Sequence, residues 1–149
     1  MKNEYIMTLK GAQNWGGDTD TTEMQSGCTL SSEDGGYVIR YEEIPPFGGA
    51  KVTTEFAVRG DTVTMQRGAD EAGRMVFEKG IRHTCWYNTP AGSFAVGICT
   101  QSIESDLSKD GGFVKLGYTI DVNSALRAQN NISITLRKAE KENGCNLKS

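Results

Sequence analysis

The segment HTCWYNTPAG, residues 83–92, gathers residue types that often do chemistry. It holds the single histidine of the chain, one of its four cysteines and one of its two tryptophans. An imidazole can orient a ligand or act as a general acid or base, and a cysteine thiolate can act as a nucleophile beside a base. His83 and Cys85 are therefore the first candidates for a site.

His83 and Cys85 are two residues apart, so a β-strand places both side chains on one face. The two side chains then lean in parallel, whereas a nucleophile and its base must meet within hydrogen-bonding distance. No third group that would orient the imidazole can be identified. We therefore expect no catalytic residue. His83 either orients a ligand or is an ordinary histidine, buried beside a partner or exposed.

The facing of His83 depends on the strand that contains it. Counting from Met75 in steps of two gives the more apolar of the two possible sets: Phe77, Lys79, Ile81, His83, Cys85 and Tyr87. In a continuous strand this set points inwards, provided that Gly80 hosts no bulge, because a bulge reverses the facing of every later residue. We predict that His83 and Tyr87 face the interior.

A basic cluster precedes this segment in the sequence, with acidic residues interleaved. Its cations are Arg40, Arg59, Arg67, Arg74, Lys79 and Arg82, and its acids are Asp61, Asp70, Glu71 and Glu78. One interpretation is a solvated strand face with cross-strand ion pairs. The other is that arginines such as Arg67 and Arg74 hold an anionic ligand at the mouth of a barrel.

The four cysteines show neither zinc-finger nor C-x-x-C spacing; they are Cys28, Cys85, Cys99 and Cys145. If Asn88 faces Ala91 across the hairpin turn, Cys99 faces Gly80 and lies about 16 Å from Cys85. A disulfide requires Cα atoms within about 7 Å. We expect free thiols and no metal site.

Other motifs are absent. The acidic run at residues 16–23 lacks the ligand spacing of a calcium loop, and Gly48–Lys51 lacks the spacing of a phosphate-binding loop. No G-x-S-x-G or dinucleotide fingerprint occurs. The sequence predicts no cofactor.

Period-two alternation of apolar residues recurs along the chain, with turn residues between the runs. This pattern predicts half-buried strands joined by short hairpins. An up-and-down meander leaves two unpaired edges unless it closes, so we predict an all-β, antiparallel barrel of about 8–10 strands. Residues 102–110 and 123–129 are the best helix candidates, but both lack the apolar spacing of a core helix. Residues 139–149 are predicted to be a frayed tail.

Composition narrows the function further. The chain has 149 residues and a formal net charge of -3, which fits one domain over residues 1–149 and shows no basic footprint of a nucleic-acid binder. The first residues lack the apolar run of a signal peptide, and no run is long enough to span a membrane. We expect a cytoplasmic protein with neither nucleic-acid nor membrane partners.

The chain also resembles a known family. The resemblance is clearest over residues 60–136 and is carried by short motifs and single positions: Arg67-Gly68, Met75, Phe77, Gly80, Tyr87, Thr89-Pro90, Gly92, Thr100, Ile103, Leu107, Gly111-Gly112, Leu116, Tyr118 and Asn131. These resemble the YwiB-like family of small bacterial proteins of unknown function. The resemblance implies a calycin-type, lipocalin-like β-barrel and brings no activity with it. Ala91 departs from the bulkier residue expected there.

These observations favour a non-enzymatic barrel that binds a small, partly apolar or anionic ligand. The candidate ligand-binding residues are His83, Tyr87, Phe77, Tyr118, Arg67 and Arg74. One alternative is a filled barrel that acts through its outer face or as a homodimer, with Trp86 and Trp15 as contacts. Another is an enzyme that uses His83 as an acid or base.

Overall fold

The computed structural model describes residues 4–44, 49–68, 74–123 and 125–139, with only the backbone described at Trp15, 87–89 and Leu126. Ten strands account for most of this chain. They are β1 (Tyr5–Trp15), β2 (Asp18–Glu33), β3 (Gly36–Glu43), β4 (Val52–Arg59), β5 (Thr62–Arg67), β6 (Arg74–Glu78), β7 (Arg82–Thr89), β8 (Gly92–Ser108), β9 (Gly111–Val122) and β10 (Leu126–Lys138).

All ten strands belong to one antiparallel sheet in the order β6-β5-β4-β3-β2-β1-β10-β9-β8-β7. Sequence neighbours pair, and β1 also pairs with β10, so the first and last strands lie side by side in the middle of the sheet. No helix occurs in the described part of the chain. The predicted all-β meander barrel is confirmed.

The sheet closes where the chain passes from β6 to β7. Single bridges join Glu78 to Ile81 and Lys79 to Thr100, and the Gly80 amide donates to the Thr100 carbonyl at 2.9 Å. Beyond these bridges the described parts of β6 and β7 share no ladder. The barrel is therefore nearly closed, with a seam between β6 and β7.

The prediction of one continuous strand from Met75 to Tyr87 is wrong. The chain turns at residues 79–81, where Gly80 has φ of 83° and the Ile81 amide donates to the Glu78 carbonyl at 3.0 Å. Glycine adopts this left-handed conformation without a Cβ penalty. The predicted inward facing nevertheless holds at His83, which lies opposite the buried Ile98. It does not hold at Lys79 and Ile81, which are exposed within the turn.

The predicted register of the β7–β8 hairpin is also wrong, by two residues. Thr89 pairs with Gly92 around a two-residue turn, and Asn88 pairs with Ser93 rather than Ala91. Cys85 consequently lies opposite Val96, and Cys99 lies opposite Arg82. The described cysteines, Cys28, Cys85 and Cys99, are free thiols.

Both helix candidates lie largely in strands. Residues 102–108 complete β8, and residues 126–129 begin β10. A register shift between Thr100 and Ser102 marks a β-bulge in β8. Because a bulge reverses the facing of later residues, Ile103 and Leu107 take the interior side that Val96 and Ile98 hold before it.

The inward faces of the strands meet in a packed apolar core. Its largest fully buried side chains are Phe56, Phe77, Met7, Ile39, Ile98, Ile134, Val63 and Val114. Burying a side chain of this size contributes about 1.5–3 kcal/mol. This core holds the barrel together and fixes which strand ends form its rims.

Candidate functional site

Phe77 and Tyr118 lie together inside the barrel. They are 1% and 5% exposed, and their rings pack edge to face with centroids 4.7 Å apart. Burial raises the pKa of Tyr118 to about 12. Both rings are therefore part of the packed core of the barrel.

His83 is half-buried beside the seam. Its Nε2 atom lies 2.9 Å from Glu78 Oε1, so the imidazole and carboxylate join β7 to the end of β6. An imidazole with one carboxylate partner matches the interpretation of His83 as an ordinary hydrogen-bonded histidine.

Tyr87 and Arg74 are two other residues predicted to bind the ligand. Tyr87 pairs with Phe94 through its backbone, and its side chain lies outside the described part of the structure. Arg74 is exposed at the start of β6, opposite Gln66, and so lies on the outer face. Trp86 faces outwards and is 59% exposed.

Arg67 ends β5 on the inward face and belongs to a polar cluster at the rim. Tyr41, Thr54 and Arg67 lie opposite one another across β3, β4 and β5. Glu43 lies two residues beyond Tyr41 on the same face of β3. We call Tyr41, Glu43, Thr54 and Arg67 the mouth cluster.

The Glu43 carboxylate is the centre of the mouth cluster. Thr54 Oγ1 donates to Glu43 Oε2 at 2.6 Å, and Arg67 Nε donates to the same oxygen at 2.9 Å. Thr54 is fully buried, so this hydroxyl holds the carboxylate from the core side. Two donors on one oxygen fix its position before any ligand binds.

Tyr41 adds a buried phenol to the cluster. Burial raises the Tyr41 pKa, and the negative charge of Glu43 raises it further, while Arg67 and Thr54 act in the opposite direction. The phenol thus stays protonated near neutral pH and can donate a hydrogen bond. Its ring stacks on Phe56 with centroids 6.3 Å apart, which anchors it to the core.

A cavity of about 430 Å³ opens beside the mouth cluster. Its described lining residues are Ser26, Gly27, Tyr41, Glu42, Glu43, Ile44, Lys51 and Thr53. Lys51 and Glu42 bring charges of opposite sign, and Ile44 brings an exposed apolar side chain. The cavity therefore offers charged, hydrogen-bonding and apolar surface within a small volume.

Several other cations of the basic cluster form surface ion pairs. The pairs are Arg40 with Glu33 and Glu55, Arg59 with Asp34, and Arg82 with Asp121. Hydrogen bonds from Arg40, with a further one from Ser31, hold the Glu33 pKa at about 2. The acids are not those interleaved with the cluster in sequence, and Asp70 and Glu71 lie outside the described residues.

Sequence reasoning named Arg67 but missed Glu43 and Lys51. Period-two spacing continues from Tyr37, Ile39 and Tyr41 to Glu43, so a charged residue on the inward face at a strand end was the available signal. Within the described residues, no cluster of three or more His, Cys, Asp or Glu could hold a metal ion. No helix in that same part of the chain could cross a lipid bilayer.

Fold and rim together define a class: an all-β protein whose ten antiparallel strands form a nearly closed meander barrel with a polar cluster at its mouth. Residues 7–134 match the family model described as a domain of unknown function, DUF1934, and the chain belongs to that family. The crystal structure of the ywiB protein from Bacillus subtilis superposes with a TM-score of 0.80 over 93% of both chains, at 20% identity. This likeness shows a shared fold. No curated protein matches the sequence.

Proposed function

We propose that the protein is a non-enzymatic barrel that binds a small, partly apolar molecule with an anionic head group at the mouth cluster. The observation that carries this proposal is the pre-positioned set of Tyr41, Glu43, Thr54 and Arg67 beside a cavity of about 430 Å³. Small-molecule sites typically combine apolar lining with a few convergent polar groups.

The head group binds to the cationic side of the site. A guanidinium has five N–H donors, and Glu43 takes the Nε–H of Arg67, so donors remain for a carboxylate. Lys51, Tyr41 and Glu43 line the cavity, and Arg67 is joined to its wall through the bond to Glu43. Ile44 and the Tyr41 ring offer the apolar surface for the ligand's body.

This proposal moves the centre of the predicted site from His83 to Arg67. Phe77 and Tyr118 support the barrel as core residues, and His83 supports the seam. The lipocalin-like character, the cytoplasmic location and a homodimer remain predictions.

The first test is a titration with octanoate, which has the proposed head group and an apolar body. We expect saturable shifts of the backbone amides of Tyr41, Glu43, Lys51 and Thr54 in ¹H–¹⁵N spectra. Octanol, which lacks the charge, should bind much more weakly. Equal binding of the two probes, or shifts without saturation, would contradict the proposal.

The matched variants are Arg67→Met and Arg59→Met, which remove the same charge at opposite ends of the β4–β5 hairpin. Arg59 pairs with the exposed Asp34 at 3.4 Å, away from the cavity. We expect Arg67→Met to weaken octanoate binding about tenfold, because a hydrogen bond to a charged group contributes about 1.5–3 kcal/mol and this site is partly exposed. Arg59→Met should leave the affinity unchanged.

A further inference from the structure

A cavity lies on the outer face, where β2, β1, β10, β9 and β8 run side by side. Its volume is about 650 Å³. Most of its lining residues are polar and point away from the core: Lys10, Thr21, Glu23, Ser102, Glu104, Lys115, Asn131 and Ser133. We call this cavity the outer groove. It shares no lining residue with the cavity at the mouth cluster.

The bulge in β8 builds one wall of the outer groove. Before the bulge, Cys99 faces outwards; after it, Ser102 and Glu104 do, because the register shifts by one residue. Bulges increase strand twist and often re-aim side chains next to functional sites. The bulge thus places the side chains of Ser102 and Glu104 in the wall of the outer groove and adds strand curvature at the same point.

Gly117 forms the floor beside that wall. A Cβ atom at this position would lie 2.6 Å from Ser102 Oγ and 3.2 Å from Asn131 Oδ1, so both polar groups lean over the glycine. In the described part of the chain, neither side chain has a hydrogen-bonding partner. The Ser102 hydroxyl and the Asn131 amide therefore converge above Gly117, where no side chain fills the space.

Two lysines flank this floor. Lys10 and Lys115 both lie opposite Ser133, on the two strands that border β10, so their Cα atoms are about 10 Å apart. Each has a glutamate opposite it on its other side, Glu23 and Glu104. None of the ion pairs among the described residues uses either lysine, and the Lys115 ammonium lies 5.3 Å over the Phe113 ring.

We propose that the outer groove is a second binding site, which takes an anionic oxygen group, a carboxylate or a phosphate, between Lys10 and Lys115. Two ammonium groups reach the anion from opposite sides, and Ser133, Asn131 and Ser102 donate hydrogen bonds. Charge-assisted hydrogen bonds of this kind are stronger than neutral ones. Glu23 and Glu104 repel an anion at the two sides of the groove, so the negatively charged group of the ligand is restricted to its centre.

The test is an NMR titration of the full chain with inorganic phosphate and, separately, with succinate, at constant ionic strength set with sodium chloride. We expect saturable shifts at the amides of Lys10, Lys115, Asn131 and Ser133. A preference for one anion identifies the head group. Shifts that are scattered over the surface or fail to saturate with both anions would overturn the proposal.

The double variant Lys10→Met, Lys115→Met should weaken anion binding about tenfold. The expected loss is modest because each exposed ion pair contributes little free energy. The control Lys79→Met, Lys109→Met changes the net charge equally and should bind as the wild type does. Lys115→Arg keeps the charge and should retain binding, which separates loss of charge from loss of fold. Equal affinity of the two double variants would refute the site, whereas Arg67→Met tests the mouth cluster alone.

Discussion

At the scale of single residues, Arg67 and His83 show how a partner decides the role of a side chain. Both were candidates from sequence because of their type. Arg67 and Thr54 both bond to Glu43, which lines a cavity, whereas His83 meets Glu78 at the seam. Local sequence could not assign these partners, because Glu43 and Arg67 are 24 residues apart and meet only through the register of three strands.

The Glu78–His83 pair should contribute to stability and not to ligand binding. Both side chains are about one-third exposed, so we expect a coupling free energy of at most about 1 kcal/mol. A double-mutant cycle of Glu78→Gln and His83→Gln, followed by urea unfolding, measures it. Octanoate affinity should be unchanged in both variants. A tenfold loss in His83→Gln would return His83 to the binding site.

At the scale of elements, β8 shows where period-two reasoning reaches its limit. Alternation predicted the strand around Phe94, Val96 and Ile98 correctly. After Gln101 the apolar residues move from even to odd positions, at Ile103 and Leu107, so the pattern resembles a weak helix. The bulge causes this shift, and it also hid the outer groove from sequence reasoning.

Deleting Gln101 should therefore remove the bulge and leave the facing of β8 unchanged. Thr100 and Ser102 already lie opposite the consecutive residues Tyr118 and Gly117, so the deletion joins two regular stretches of ladder and keeps Ile103 and Leu107 inwards. We expect a change of less than about 1.5 kcal/mol in the free energy of unfolding. Gln101→Ala keeps the bulge and removes only a long side-chain hydrogen bond of 3.4 Å to Thr119, so it should change stability by less than about 0.5 kcal/mol. Urea unfolding of both variants measures the difference. A loss of about 3 kcal/mol on deletion would mean that Ile103 and Leu107 had turned outwards and that Gln101 is not the extra residue of the bulge.

At the scale of the whole molecule, closure is the feature that sequence reasoning located least well. The strands and their hairpins follow from local patterns, and the need to close follows from the edges of a meander. The pairing of β1 with β10, and the seam between two consecutive strands, depend on the curvature of the full sheet. No local pattern in the sequence reports that curvature.

The seam should open more easily than any other part of the barrel. Among the described residues, β7 pairs along its length with β8 alone, whereas β1 and β10 each have two neighbours. We expect amides in β6 and β7 to exchange with solvent deuterium at least about tenfold faster than those in β1 and β10. Hydrogen-exchange mass spectrometry measures this, and equal protection would show that the seam is as stable as the ladders.

The pairing of β1 with β10 also constrains synthesis of the protein on the ribosome. β1 can pair with β2 soon after both emerge, but its other edge stays open until β10, the last strand described, has left the exit tunnel. An exposed strand edge is a template for pairing with other chains. The nascent chain therefore carries an aggregation-prone edge for most of its translation, and the closing contact also spans the greatest sequence separation of any ladder, which favours slow folding.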